Sequence, residues 1–159
     1  MPIDRRRFLQ AVAILGAISA YATIVLGGTV RGLGAGLACP DWPLCHGSVV
    51  PNLADPIIAV EYAHRLVAAL TSLFLLFTLV VVLLWFRSDL RLVTLSFMSF
   101  AILVAQVAFG ALTITSLLDW VVVTIHLALG TATLASALIV ALVSLWPPAK
   151  MVIADQPLR

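Results

Sequence analysis

The residues of this chain that could do chemistry fall into three groups. Glu61, His64 and Arg65 lie within one short stretch, EYAHR. On a helix, positions three and four apart share a face, so a carboxylate, an imidazole and a guanidinium would stand together. His126 is a second histidine inside an apolar run. Imidazole carries protons near neutral pH and is the commonest metal ligand, and a carboxylate near it could take a proton or stabilise positive charge. The only two cysteines, Cys39 and Cys45, bracket the segment CPDWPLC and are close enough for a disulfide in an oxidising compartment. From the residues alone such a pair is open between a structural staple and a redox role. A zinc site is disfavoured, because Cys39, Cys45 and His46 lack the usual paired ligand spacing.

The elements that must position these groups follow from composition. Of 159 residues, 63% are hydrophobic and 10% charged, with a mean hydropathy of +1.17. A water-soluble fold would lack the polar residues to cover its surface, so the solvent is lipid. Four apolar runs, about residues 8–30, 56–86, 92–118 and 120–146, are each long enough to cross a hydrocarbon core of roughly 30 Å as a helix. The expected fold is an all-α membrane protein, a single transmembrane domain over 1–159. It is an antiparallel four-helix bundle with a long outer loop over 31–55. Asp55 as N-cap and Pro56 as first helical residue mark the start of the second helix and place Glu61, His64 and Arg65 in its first turns. The first run follows Arg5, Arg6 and Arg7 as a secretory signal would, but it is too long and lacks a cleavage pattern, so it reads as a mature span.

Orientation comes from the basic residues. Arg5, Arg6, Arg7, Arg87, Arg91, Lys150 and Arg159 fall at the N-terminus, the second connection and the C-terminus, against Arg31 alone in the first and third connections. This asymmetry puts both termini in the cytoplasm and the 31–55 loop outside, in a multi-pass protein of the cell membrane. The formal charge of +2 belongs to that topological signal and implies no nucleic-acid partner.

His64 lies 21 residues before Trp85, and His126 lies 20 before Trp146. At helical rise both stand about 30 Å above the inner ends of two parallel helices, and so level with each other. Small side chains follow each histidine at helical spacing: Ala68 and Thr71 or Ser72 after the first, Gly130, Thr133 and Ala137 after the second. Such lanes serve ordinary helix packing, and beside level histidines they also leave space for a flat macrocycle. Bis-histidine heme ligation inside the bundle is the metal chemistry that fits. Arg31 and Arg65, toward the outer ends of their helices, could pair with heme propionates or reach lipid headgroups. Gln106 on the third run could touch the heme or tie helices together.

Taken together, GGTVRGLGAGLACPDWPLCHG, EYAHR, QVAFGALTI and His126 resemble the N-terminal half of heme A synthase over nearly the whole chain. The resemblance implies a four-helix half-unit that oxidises a ring methyl of heme O to a formyl group, giving heme A for terminal oxidases. It implies His64 and His126 as axial ligands of the heme iron, Glu61 as the catalytic carboxylate, and Cys39 with Cys45 as the outer pair. Most members of that family carry two halves in tandem. A single half with no internal repeat implies a compact member whose second half is replaced by another copy or by nothing, a twofold homodimer being the first expectation. Heme O synthase or a terminal oxidase are the further partners implied. Two other classes compete: a bis-histidine b-type cytochrome that carries electrons on unaltered heme b, and a non-enzymatic heme-delivery or assembly factor. A disulfide-generating membrane oxidoreductase ranks last, because that chemistry relays through a second cysteine pair.

Overall fold

The computed structural model describes residues 4–146, which form four helices: α1 (Arg5–Gly32), α2 (Pro56–Trp85), α3 (Leu90–Thr115) and α4 (Trp120–Leu145). All four are long and apolar enough to cross a membrane. Lys150 and Arg159, counted in the charge asymmetry, lie outside the described residues.

Every helix starts behind an aspartate. The side chains of Asp4, Asp55, Asp89 and Asp119 accept hydrogen bonds from amides of the first turn. They satisfy donors that have no partner inside a helix, each cap being worth about 1 kcal/mol. Four of the chain's seven acidic residues are thereby used as caps. Pro56 occupies the first turn of α2, as its fixed φ favours.

The helix ends differ from the sequence expectation in two places. α1 extends to Arg5 and Gly32, beyond the apolar run, because Asp4 caps it on the polar side. α3 stops at Thr115, short of Leu118: Leu117 and Leu118 adopt left-handed φ values of 53° and 64° and turn the chain into Asp119. Hydropathy continues through these leucines, so it does not register the turn.

α1 packs on α2, α3 on α4 and α1 on α4, while the α2–α3 interface is the sparsest of the four. Phe8 at the start of α1 meets Phe77 and Trp85 late in α2, with ring centroids 5.9 and 5.8 Å away. Arg6 and Gln10 donate to the Ser144 carbonyl at the end of α4. Between α1 and α2, Thr71 is a polar node: its hydroxyl lies 2.7 Å from Ser19 Oγ and 3.0 Å from Thr23 Oγ1. Ser136 donates to Ser99 between α4 and α3. Such small hydroxyl residues let membrane helices approach closely and hydrogen-bond where lipid offers no partner.

The two helix pairs repeat one another in packing. α2 buries Thr71, Leu75, Thr78, Leu79 and Val82, and α4 buries Thr133, Ala137, Val140, Ala141 and Ser144, each 62 positions later. α1 buries Leu9, Ala13, Gly16 and Ala20, and α3 buries Leu92, Ser96, Ser99 and Leu103, each 83 positions later. The bundle is thus a helical hairpin followed by a second built on the same burial pattern. The sequence hides this repeat, because small and apolar residues substitute freely at such positions.

Candidate functional site

The chemistry-bearing residues gather at the end of the bundle where α1 leads through the long loop into α2. In that loop Cys39 and Cys45 are joined in a disulfide with Cα atoms 4.6 Å apart, and both residues are buried. Asp41, inside the ring, accepts from the amides of His46 at 2.6 Å and Gly47 at 2.7 Å. These bonds, the one from Gly47 foremost, hold its carboxyl below the usual carboxylate range. Cys45 and Ser48 exchange backbone hydrogen bonds of 3.0 and 3.1 Å across a two-residue turn, with φ of 53° at His46 and 72° at Gly47. That turn needs left-handed backbone at both central positions, which glycine gives without strain. On its other side the loop rests on the α3–α4 turn, where a Cβ on Gly36 would come 3.1 Å from Leu118 Cδ1.

Arg65 fastens this loop to α2. Its Nε donates to Glu61 Oε1 at 2.8 Å, its Nη1 to the carbonyls of Asp41 and Leu44 at 2.7 Å each, and its Nη2 to the carbonyl of Cys39 at 2.7 Å. Four of the five guanidinium N–H donors are thereby committed within the chain. The partners of Arg65 are the disulfide ring and Glu61, because loop carbonyls brought against the helix need donors that lipid cannot supply. Glu61 is the chain's one glutamate and is 4% exposed.

The two histidines sit in matching cradles. His64 Nδ1 lies 3.1 Å from the carbonyl of Thr23, and His126 Nδ1 lies 3.2 Å from the carbonyl of Gln106. A carbonyl only accepts, so in each ring Nδ1 carries the hydrogen and the neutral ring leaves the Nε2 lone pair unused by that bond. One helical turn beyond each carbonyl is a glycine. A Cβ on Gly27 would come 3.0 Å from His64 Cε1, and one on Gly110 would come 3.1 Å from His126 Cε1. The glycines let each imidazole come close against the neighbouring helix. Gly27 and Gly110 stand in the motifs GGTVRG and QVAFG, but nothing in the sequence pairs them with particular histidines.

The remaining expected residues fall as follows. Arg31 is exposed in the last turn of α1, four residues after Gly27. The Gln106 side chain lies against Gly130, where a Cβ would come 3.0 Å from its Nε2, and its Oε1 is buried without a hydrogen-bond partner.

These residues fit a bis-histidine heme. Metal-binding imidazoles characteristically donate their second N–H to a backbone carbonyl, which fixes the tautomer and ring plane. Both histidines are held in that way, with Nε2 left for iron. An acid paired with a cation stands on the His64 face, under a cross-linked loop.

Known proteins resemble this chain over much of its length. A family model described as cytochrome oxidase assembly protein (COX15-CtaA) matches residues 10–157. A heme A synthase of Symbiobacterium thermophilum is 41% identical over 103 residues, covering 60% of this chain and 31% of that protein. A heme A synthase of Exiguobacterium sibiricum is 29% identical over 132 residues, covering 79% of this chain and 44% of that protein. A protein of Natronomonas pharaonis named protoheme IX farnesyltransferase 1 is 37% identical over 98 residues, covering 62% of this chain and 20% of that protein. The chain therefore spans less than half the length of these curated relatives.

Proposed function

The chain belongs to the COX15-CtaA family of cytochrome oxidase assembly proteins, and from that premise we propose that it works as a heme A synthase, oxidising a ring methyl of heme O to the formyl group of heme A. The observation that carries the proposal is the pair of histidines with Nδ1 tied to backbone carbonyls, beside a buried Glu61. Heme O is the substrate: a heme whose vinyl group has been farnesylated. The match to a protein named for protoheme farnesylation supports it, since that chemistry produces such a ring.

In this reading His64 and His126 hold the iron through Nε2, and Arg31 reaches a propionate. Glu61 would serve the ring edge, taking a proton from the reacting carbon. With water as the oxygen donor the overall change is R–CH3 + H2O → R–CHO + 4 H+ + 4 e−, and the electrons pass to an acceptor outside this chain. A carrier cytochrome would not need the buried acid, and the Arg65 clamp binds that acid to the loop.

We further propose that the loop lies outside and both termini in the cytoplasm. Arg5, Arg6, Arg7, Arg87 and Arg91 at the opposite end of the bundle support this orientation. As a further partner we propose a second copy of this chain, in a twofold dimer. Heme O synthase and a terminal oxidase are the proposed supplier and recipient.

The test is to express the chain with a heme O source and to identify the extracted heme by mass, in the parent and in Glu61→Gln. The parent should accumulate heme A. The variant should keep its heme content while its ratio of heme A to heme O falls at least about 100-fold, the scale of general acid–base contributions. A variant that converts heme O as well as the parent overturns the role of Glu61, and a parent that leaves heme O unaltered overturns the synthase reading.

A further inference from the structure

The match between the two hairpins is broken in one informative place. Thr23 and Gln106 hold the same position: each offers its backbone carbonyl to the histidine of its own pair, four residues before the glycine on which that histidine lies. In the first hairpin the side chain at this position is fully engaged. Thr23 Oγ1 donates to the Ser19 carbonyl at 2.9 Å and meets Thr71 Oγ1 at 3.0 Å. In the second hairpin the Gln106 Oε1 is buried and unmet. The residue facing it, one turn after His126, is Gly130, while the first hairpin has Ala68 at the equivalent place. Glycine opens the room that the amide occupies, so the second hairpin is shaped around a polar group for which the protein provides no partner. Among the described residues two other buried polar atoms are unmet, Arg6 Nη2 and Ser96 Oγ, and both belong to the half of the bundle away from the histidines.

A buried unmet acceptor costs about 1–3 kcal/mol. A ligand that completes it recovers that cost. We propose that Gln106 is a specificity-determining residue whose side-chain amide hydrogen-bonds an alcohol hydroxyl on the periphery of the bound macrocycle. This rests on the heme O reading. The farnesylated heme carries one alcohol hydroxyl, on the carbon that joins the farnesyl chain to the ring, and heme B has a vinyl group there. An amide beside the axial histidine therefore discriminates substrate from precursor: with heme O the acceptor is satisfied, and with heme B it stays buried and unpaired. Sites built around a hydrogen bond to a hydroxyl reject the analogue lacking it for this reason.

The test titrates the purified apoprotein with heme O and with heme B, read from the Soret band, in the parent, in Gln106→Met and in Gln106→Asn. The parent should bind heme O about tenfold more tightly than heme B, the scale of one hydrogen bond plus the unmet group it relieves. Met keeps the length and removes the amide. It should lose that preference by weakening heme O alone, and the ligand-free variant should be at least as stable to heat as the parent, since an unmet polar group has left an apolar interior. Asn keeps the amide but withdraws it by one methylene, and should fall between. Equal weakening of both hemes by Met, or a less heat-stable ligand-free Met variant, makes Gln106 a tie between helices and overturns the proposal. A parent that binds both hemes equally overturns it too while leaving the heme site intact. A parent that binds neither removes the heme site itself.

Discussion

Arg65 Nε stands 2.8 Å from Glu61 Oε1, one helical turn away on α2, with both side chains largely withdrawn from solvent. The same guanidinium holds three carbonyls of the disulfide ring. The acid and the loop therefore share one cation, and a displacement of the ring alters the charge that faces Glu61. Removing one member of a buried ion pair costs about 3–5 kcal/mol, so this linkage is stiff.

Arg65→Lys tests the linkage. Lysine keeps a positive charge for Glu61 but offers a single nitrogen in place of the planar fork, so it cannot serve three carbonyls and a carboxylate at once. Heme content should be retained. The Cys39–Cys45 disulfide should become more accessible to dithiothreitol, with reduction faster on the order of tenfold, the equivalent of one lost charge-assisted hydrogen bond. An unchanged reduction rate would mean that the loop is held elsewhere, through Gly36 and Leu118.

Gly27→Ala and Gly28→Ala form a matched pair of neighbours on α1. A methyl at position 27 would meet His64 Cε1 at 3.0 Å, whereas one at position 28 meets nothing within 4 Å. The first should displace the imidazole and destabilise the protein by roughly 1–3 kcal/mol, the usual cost of overpacking. Its heme affinity should fall as well. The second should be neutral or slightly stabilising, because alanine is the better helix former. Thermal unfolding and heme titration of the two, side by side, check this; equal behaviour would remove the cradle argument.

The loop should loosen in acid. Hydrogen bonds from the Gly47 and His46 amides hold the Asp41 carboxyl below its ordinary value of 3.8. A depressed folded-state value means that the stabilisation is present above 3.8 and is lost as pH falls through the lower, folded value. Trp42, inside the ring and half exposed, reports on it by fluorescence, with Trp42→Phe as the blank. Its signal should be flat from neutral pH to about 4 and change only below 3.8. In Asp41→Asn the acid transition should vanish. A transition that survives in the Asn variant assigns it to another group.

Much of this architecture was legible in the sequence. The four spans follow from apolar runs longer than a bilayer is thick, and the start of α2 follows from Asp55 and Pro56. What escaped has a common physical cause. The partners of Arg65 are backbone carbonyls 21 to 26 residues away, and a carbonyl has no letter in a sequence. The turn at Leu117 and Leu118 is written in two apolar residues that look like helix. Gly27 and Gly110 are visible as glycines, but the imidazoles they admit come from other helices. The repeat of the hairpins lies in burial rather than in residue type, as Val82 and Ser144 show: both are fully buried at equivalent places.

That repeat bears on the handedness with which a ring is seated. A scaffold of two like hairpins, each presenting an imidazole in the same way, would grip the proposed flat macrocycle equally well after a half-turn. A methyl to be oxidised would then face the acid in only one of two seatings. The hairpins differ where it matters for that choice: Glu61 has Val123 as its counterpart, Arg65 has Leu127, and Gln106 has Thr23. The acid belongs to one hairpin and the unmet amide to the other. In the proposed heme-bound protein, iron ligation would fix where the ring sits, and these departures from twofold likeness would fix which way round it lies.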